Sequence, residues 1–546
     1  MFALFEAGIQ VIYTILTPRF GCASRGANHV APLRGAHQAE NQINPKIEIN
    51  IMKILNKNTA PKMYAPERII QFGEGNFLRA FVDWIVNEMD EKTSFNGSVV
   101  IVQPRERNHI EPLRAQDCMY HVNLVGLKNG IAVNDCERIN CVSRALNPYT
   151  QNDAFLALAE QPEMRFVISN TTEAGIAFDP DCKFEDMPAA TYPAKLTQLL
   201  FRRYKVFNGD PKRGFIILPC ELIFGNGHHL QECINKYIDL WKNSLGYDYE
   251  GFKQWVAESN YICTTLVDRI VNGYPKDDIE AIWENIDYKD EALVQCEVYH
   301  LWVIEHAPNI SKERLEKEFP AQKAGLNVLV VDDETPYHER KVTLLNGPHT
   351  VLAPVAYLSG INIVRDACNS TLLGRYVHKV QTEELLPTLD MPKEELEQFA
   401  KDVINRFKNP YIDHQLTSIM LNSFPKFKTR DLPGLRKYLH QKGQLPEGIV
   451  LGLAAIITYY KGGKRADGTE IMPNDDPAII QLLQELWKTG DYTEIAKGVL
   501  AAKDLIWKEQ GDLNEIPGLT DAVAQDLKSI QENGMRETVK KITVKG

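Results

Sequence analysis

The sequence predicts an α/β protein, with an N-terminal Rossmann-type doubly wound domain followed by a mainly α-helical C-terminal domain. Three observations predict it. The strand-like run Arg68-Ile69-Ile70-Gln71-Phe72 leads directly into Gly73-Glu74-Gly75, and then into Val82, Trp84, Ile85 and Met89 at helical spacing. Further apolar, β-branched runs recur at 98–103, 165–169 and 214–219, each ending in small or polar residues. From Thr335 onward helical patterns dominate, at 394–407, 433–441, 448–460, 477–489, 493–509 and 520–533.

The first βα unit carries the nucleotide signal. Two glycines after a strand let the backbone turn tightly and approach a pyrophosphate, and the helix that follows offers unpaired N–H groups and the positive end of its dipole. Leu78 replaces the third glycine of G-x-G-x-x-G, so the motif is degenerate. The second strand ends at Gln103, thirty residues after Gly73, where a ribose-reading residue belongs. Gln103 is neutral and Arg105 and Arg107 follow it, so charge alone leaves room for NADP as well as NAD. The segments 170–175 and 220–227 close the next two strands, where an α/β sheet lines its ligand crevice.

The chemistry is expected in Lys341-Val-Thr-Leu-Leu-Asn346-Gly-Pro348-His349-Thr. On an α-helix at about 100° per residue, Lys341, Asn346 and His349 fall at roughly 0°, 140° and 80°, on one broad face. A partly buried lysine can exchange a hydroxyl proton, an amide can donate to an oxygen that gains charge, and an imidazole can orient either. The same three residue types also fit a solvated lysine, a capping asparagine and a packed histidine. Pro348 removes a backbone donor, so a kink or restart is expected between Asn346 and His349.

Composition bounds the alternatives. At 546 residues, 44% hydrophobic and 24% charged, the chain can bury a large core and split into at least two domains. A net charge of −11 argues against a nucleic-acid partner but leaves room for an anionic small substrate in a local basic pocket. Ten cysteines between Cys22 and Cys368 form no C-x-x-C pair, which reads as a reducing, cytoplasmic setting; Cys118, Cys136 and Cys141 are read as buried apolar thiols. No metal is expected, because His338-Glu339-Arg340-Lys341 lacks zinc-helix spacing. The longest apolar run, 448–460, suits a buried helix and not a membrane span. Residues 1–51 are irregular after an apolar start and read as an appended extension, disordered or upstream of a true start near Met52. The expected domains are 52–334 for the dinucleotide and 335–546 for substrate and catalysis.

Together, Gly73, Gly75, Phe77, Arg79 and Ala80 in G-x-G-x-F-x-R-A and Lys341, Asn346 and His349 in K-x4-N-x2-H resemble the long-chain polyol dehydrogenases of the mannitol dehydrogenase family. The strings 68–84, 166–176, 219–223, 265–271, 409–412 and 534–537 resemble its uronate-reducing branch. That resemblance covers everything from about Met52 to the end. It implies NAD-dependent interconversion of D-altronate and D-tagaturonate in galacturonate breakdown, with a fructuronate/mannonate or a mannitol/fructose enzyme as the neighbouring alternatives. A catalytically silent NAD-sensing protein is the alternative of a different class. The resemblance implies that Ile69, Ile70, Gln71, Phe72, Gly73, Glu74, Gly75, Asn76, Phe77, Leu78, Arg79 and Ala80, with Gln103, hold NAD. It makes Lys341 the acid/base and gives the reacting oxygen to Asn346 and His349.

Two departures stand out. Cys220-Glu221-Leu222 stands where mannitol dehydrogenases carry Cys-Asp-Asn, so one oxyanion-holding amide is missing unless Asn226 or a water replaces it, and Pro348 stands where a small residue is usual. A uronate also needs a basic clamp for its carboxylate. Lys426, Lys428 and Arg430 are the expected clamp, with Asp268 and His414 as further substrate-side residues.

Overall fold

The computed structural model describes residues 52–106, 109–128 and 130–544. The expected extension at 1–51 and Arg107 lie outside the described residues. Strands are numbered in chain order: β1 (Glu67–Phe72), β2 (Ser98–Val102), β3 (Tyr120–Lys128), β4 (Ile131–Ile139), β5 (Val142–Leu146), β6 (Phe166–Ser169), β7 (Ile216–Pro219), β8 (Tyr261–Ile262), β9 (Thr264–Asp268), β10 (Val271–Gly273), β11 (Val294–Glu297), β12 (Leu301–Glu305) and β13 (Val328–Val331).

Six of these make the parallel sheet β5-β2-β1-β6-β7-β8, the doubly wound order in which the chain reverses direction between β1 and β6. Alternate side chains leave by opposite faces. Ile69, Val99, Ile101, Phe166 and Ile168 join one apolar cluster, while Ile70, Phe72, Val100, Val102 and Val167 join another. Both faces are covered, so β2, β6 and β7 read as near-continuous apolar runs. The first cluster packs under the helical segment 76–92, and the second under Tyr192–Val206, Asn226–Leu240 and Tyr249–Ser259.

Besides two two-stranded pairs, the sequence reading missed two larger sheets. The order β10-β11-β3-β4 includes a hairpin whose register runs from Tyr120↔Ile139 to Lys128↔Ile131, and β9-β12-β13 forms the other. The dipeptide Asn129-Gly130 between two alternating runs was the available signal for that hairpin.

Beyond β13 the chain is mainly helical, with one short antiparallel pair at Gly463–Lys464 and Glu470–Ile471. Expected helices are present at Lys393–Phe407, Leu432–Lys442, Glu447–Tyr459, Pro477–Trp487 and Leu519–Asn533, whereas the one expected over 493–509 stops as an α-helix at Leu500 and gives way to a π turn at Lys503–Trp507 and a 3-10 turn at Lys508–Gln510. Glu447–Tyr459 is buried at every residue from Gly448 to Tyr459, as a helix without a polar face must be. Its Gly452 lies against Val351 of the helix Gly347–Leu358: a Cβ there would stand 2.4 Å from the Val351 Cβ. That crossing admits only glycine without a shift, and it fixes the helix that carries His349.

Candidate active site

The glycine turn is held by backbone geometry. Gly73 has φ +136°, and a Cβ on it would lie 3.0 Å from the carbonyl oxygen of Asn170. No other residue fits there without strain. Gly75 differs, because a Cβ there meets nothing within 4 Å. It begins the helical segment Asn76–Leu78 with extended backbone and no side-chain cap, which leaves the first N–H groups to a ligand. The open approach at Gly75 and the uncapped helix start fit a dinucleotide pyrophosphate.

Of the thirteen residues expected to hold the cofactor, the structure exposes only Glu74, Gly75, Asn76 and Phe77 in whole or in part. Ile69, Ile70, Phe72 and Ala80 are fully buried and Leu78 nearly so, so they shape the turn from beneath. Gln71 donates to the carbonyl oxygen of Gly73 at 3.2 Å. The Arg79 guanidinium bonds the Glu74 carbonyl at 3.1 Å, Asn76 Oδ1 at 2.7 Å and the Ala292 carbonyl, which locks the turn. Gln103 is buried at the end of β2; its amide donates to the Arg105 carbonyl at 2.7 Å and accepts from His109 N at 3.3 Å.

The ends of β6 and β7 are knotted to each other. Glu221 accepts from Ser169 Oγ at 3.1 Å and from both Thr171 N and Thr171 Oγ1 at 2.9 Å, and burial raises its carboxyl above the ordinary range despite those donors. Asn226 does not replace the missing amide. Its Nδ2 donates to the carbonyls of Pro219, Glu221 and Thr265, and its Oδ1 accepts from Thr265 N at 3.0 Å. A fully buried amide with its bonding capacity used on backbone has nothing left for a substrate oxygen.

The segment from Lys341 to Thr350 is not one α-helix, which corrects the face drawn from uniform spacing. Thr335–Lys341 is α-helical, Val342–Asn346 is a π turn, and the α-helix resumes at Gly347. Pro348 therefore falls in a first turn, where its missing N–H costs little. The carbonyl four residues before it, Leu344 O, accepts from Gln381 Nε2 at 2.8 Å. The expected restart is present, and a π turn precedes it.

Lys341 Nζ donates to Val267 O at 2.9 Å and lies 3.7 Å from Asp268 Oδ1. Behind Asp268 stands a group that sequence reasoning missed. Arg406 forks onto Asp268 at 2.8 and 2.9 Å and onto Glu297 at 2.9 and 3.0 Å, with Tyr299 beneath its plane at 4.3 Å. Burial alone would raise the Asp268 carboxyl, but Arg406 and Lys341 hold it below the ordinary value. Asp268 is thus occupied by two cations of the protein itself.

Asn346 is half-buried, and among the described residues no bond to its amide is found. His349 is buried and stacked on Phe407 at 4.2 Å, with the His414 ring edge-on at 5.1 Å and with Nε2 unpartnered among the described residues. Burial, then His414, Arg430, Arg406 and Lys426, hold the His349 imidazole well below its usual pKa. It is neutral. Lys426 and Arg430 act electrostatically on His349, whereas Lys428 turns to Glu509 at 3.0 Å. Lys426 Nζ donates to Ile419 O at 2.8 Å, and burial with the charge of Arg430 lowers it to about 8; Arg430 donates to Thr350 Oγ1 at 3.1 Å.

Among the described residues no group of three His, Cys, Asp or Glu could hold a metal ion, and no helix is long and apolar enough to cross a membrane. None of the nine described cysteines is in a disulfide, and all but Cys136 are buried.

Known proteins resemble this chain along nearly all of its length. The altronate oxidoreductase of Phocaeicola vulgatus is 66% identical over 491 residues, covering 90% of this chain and all of that protein. The altronate oxidoreductase of Bacillus subtilis is 45% identical, covering 91% of this chain and 99% of its own length. Among solved structures, the Pseudomonas fluorescens mannitol 2-dehydrogenase ternary complex with NAD and D-mannitol matches with a TM-score of 0.62 at 22% identity, over 90% of this chain and all of that one. A D-sorbitol dehydrogenase in substrate-free form matches with a TM-score of 0.72 at 20% identity, over 89% of this chain and all of that one. Family models described as the mannitol dehydrogenase Rossmann domain and the mannitol dehydrogenase C-terminal domain match residues 67–317 and 333–531. The glycine turn lies in the first match and Lys341, Asn346 and His349 in the second, and the chain belongs to the mannitol dehydrogenase family.

Proposed function

We propose that this protein is an NAD-dependent oxidoreductase that interconverts D-altronate and D-tagaturonate. The observation that carries the substrate is the likeness to altronate oxidoreductases at up to 66% identity over the full length of those relatives. The geometry around Lys341 supports the reaction type. NAD bound over the glycine turn would supply or accept the hydride at the reacting carbon.

The residues of the chain do the rest. Lys341 Nζ takes the hydroxyl proton when altronate is oxidised and returns it when the keto acid is reduced. Arg406 holds Asp268, and Asp268 with Val267 O holds Lys341, so the proton-transfer group enters the reaction already oriented. Asp268 is therefore a positioning residue and not a substrate ligand. The Asn346 amide donates to the oxygen on which charge develops, and with Leu222 exposed in the loop and Asn226 consumed it serves without a second side-chain amide. Neutral His349 fixes a substrate hydroxyl. Lys426 and Arg430 face the substrate carboxylate as its clamp. The cofactor half is taken as residues 52–334 and the substrate half as 335–546, supported by the end of β13 at Val331 and the helix start at Thr335. A cytoplasmic setting fits the unpaired thiols.

The test is a panel of D-tagaturonate, D-fructuronate and D-fructose with NADH and with NADPH. Tagaturonate with NADH should give the highest kcat/KM. Preference for fructuronate or fructose would reassign the substrate. NADH binding with no turnover of any substrate would favour the silent-sensor alternative.

A further inference from the structure

We infer that Glu74, in the glycine turn, recognises the adenosine ribose hydroxyls of the dinucleotide and excludes a 2′-phosphate. In this fold that task ordinarily falls to an acidic residue at the end of the second strand. The inference rests on the NAD-dependent reading above.

At the end of β2 the side chain of Gln103 is fully buried and turned inward, onto the Arg105 carbonyl and His109 N of its own loop. The position that ordinarily reads the ribose is spent on shaping the loop. Glu106, an acid on the same loop, is solvent-exposed.

The glycine turn supplies a carboxylate in its place. Glu74 stands between Gly73 and Gly75, its side chain is 13% exposed, and its Oε1 lies 3.8 Å from Nδ1 of His109, on the loop that follows β2. The side chain therefore leans from the phosphate turn toward the ribose end of the crevice. Its Oε2 is buried and has no hydrogen-bond partner among the described residues. A buried carboxylate oxygen without a donor is costly, and a ribose diol offers two O–H donors. The guanidinium of Arg79 is committed to Asn76, Ala292 and the Glu74 carbonyl, so it does not neutralise the carboxylate. Across the crevice Arg105 donates to Thr172 Oγ1 at 3.1 Å. One acid and one base thus flank the site. With Glu74 in place a 2′-phosphate meets a like charge at the turn; without it, Arg105 remains to attract that phosphate.

Dissociation constants for NADH and NADPH, read from nucleotide fluorescence on the full chain without sugar substrate, test the assignment. Wild-type protein should bind NADH at least about tenfold more tightly than NADPH, and Glu74→Gln should bring the two constants within about threefold, a loss of the order expected for one charge-assisted contact. Glu74→Asp keeps the charge and should keep the preference for NADH, which separates a lost carboxylate from a damaged turn. An unchanged NADH to NADPH ratio in Glu74→Gln, or an equal loss in Glu74→Asp, overturns the inference while leaving the NAD-dependent reading intact. Wild-type protein that binds neither dinucleotide overturns that reading, and this inference with it.

Discussion

The two sides of the site are built from different materials. On the sheet side, backbone does the work: the positive φ of Gly73, the open approach at Gly75 and an uncapped helix start. On the helical side, charge and burial do it, through Lys341 and Arg406 on Asp268 and through Arg406, Lys426 and Arg430 acting on the neutral His349. Apart from the carboxylate of Glu74, a backbone site tolerates almost any side chain that leaves the turn intact. A site made of buried charges depends on each partner, because removing one strands the other in a medium that solvates it poorly.

The largest expected effect tests the helical side directly. Lys341→Ala should lower kcat for tagaturonate reduction by about 10²- to 10⁴-fold, the range of a general acid, with NADH affinity nearly unchanged in a fluorescence titration. A parallel loss of NADH binding would break the division between the two sides. Next comes Arg406→Leu, which leaves Asp268 and Glu297 buried side by side without their shared cation. It should cost about 3 to 5 kcal/mol of stability in urea unfolding, whereas an exposed pair such as Lys393–Glu397 should cost under about 1 kcal/mol.

Gly73→Ala probes the sheet side. The strained φ and the 3.0 Å approach to Asn170 O should cost about 1 to 3 kcal/mol, seen as a lower melting temperature together with weaker NADH binding. The smallest effect sharpens the electrostatic contrast. Lys426 is lowered to about 8, so its charge is present below that pH and is lost as pH rises through it. KM for the acidic substrate should rise roughly threefold to tenfold between pH 7 and 9, at about 1.4 kcal/mol per tenfold, and Lys426→Arg should flatten the rise.

The contrast also explains what could be read in advance. A backbone-built site leaves a contiguous motif, so Gly73, Gly75 and the helix after them are legible in fifteen residues. Lys341, Asn346 and His349 stand out through the family pattern K-x4-N-x2-H, whereas the shared face drawn from uniform helical spacing does not anticipate the π turn between them. Arg406 and Glu297 are not, since they meet across 109 positions and neither has a local partner. One trace of Arg406 does exist. Leu396, Phe399, Ala400, Val403 and Phe407 mark the buried stripe of their helix, and Arg406 falls on it, where an unpaired charge would not be tolerated. The loss of the second amide was visible at Leu222, but Asn226 as its replacement was not testable until its bonds to the β7 and β9 backbone were seen. The hairpin of β3 and β4 escaped although its strands are nine residues each, because His121 and Asn123 interrupt the apolar pattern of β3 and Asp135, Glu137 and Arg138 that of β4.

The π turn at Val342–Asn346 makes the site a matter of phase. One residue more than an α-helix needs is stored between Lys341 and Asn346, so the segment on either side can keep its own packing while the functional groups are set at an angle that no uninterrupted helix provides. Deleting that one residue would leave every proposed catalytic side chain in the chain and each helix able to re-form, yet it would turn Asn346 and His349 by about 100° relative to Lys341. In a lineage of such proteins, an insertion or deletion here would act as a switch between working and silent forms without altering a single functional residue.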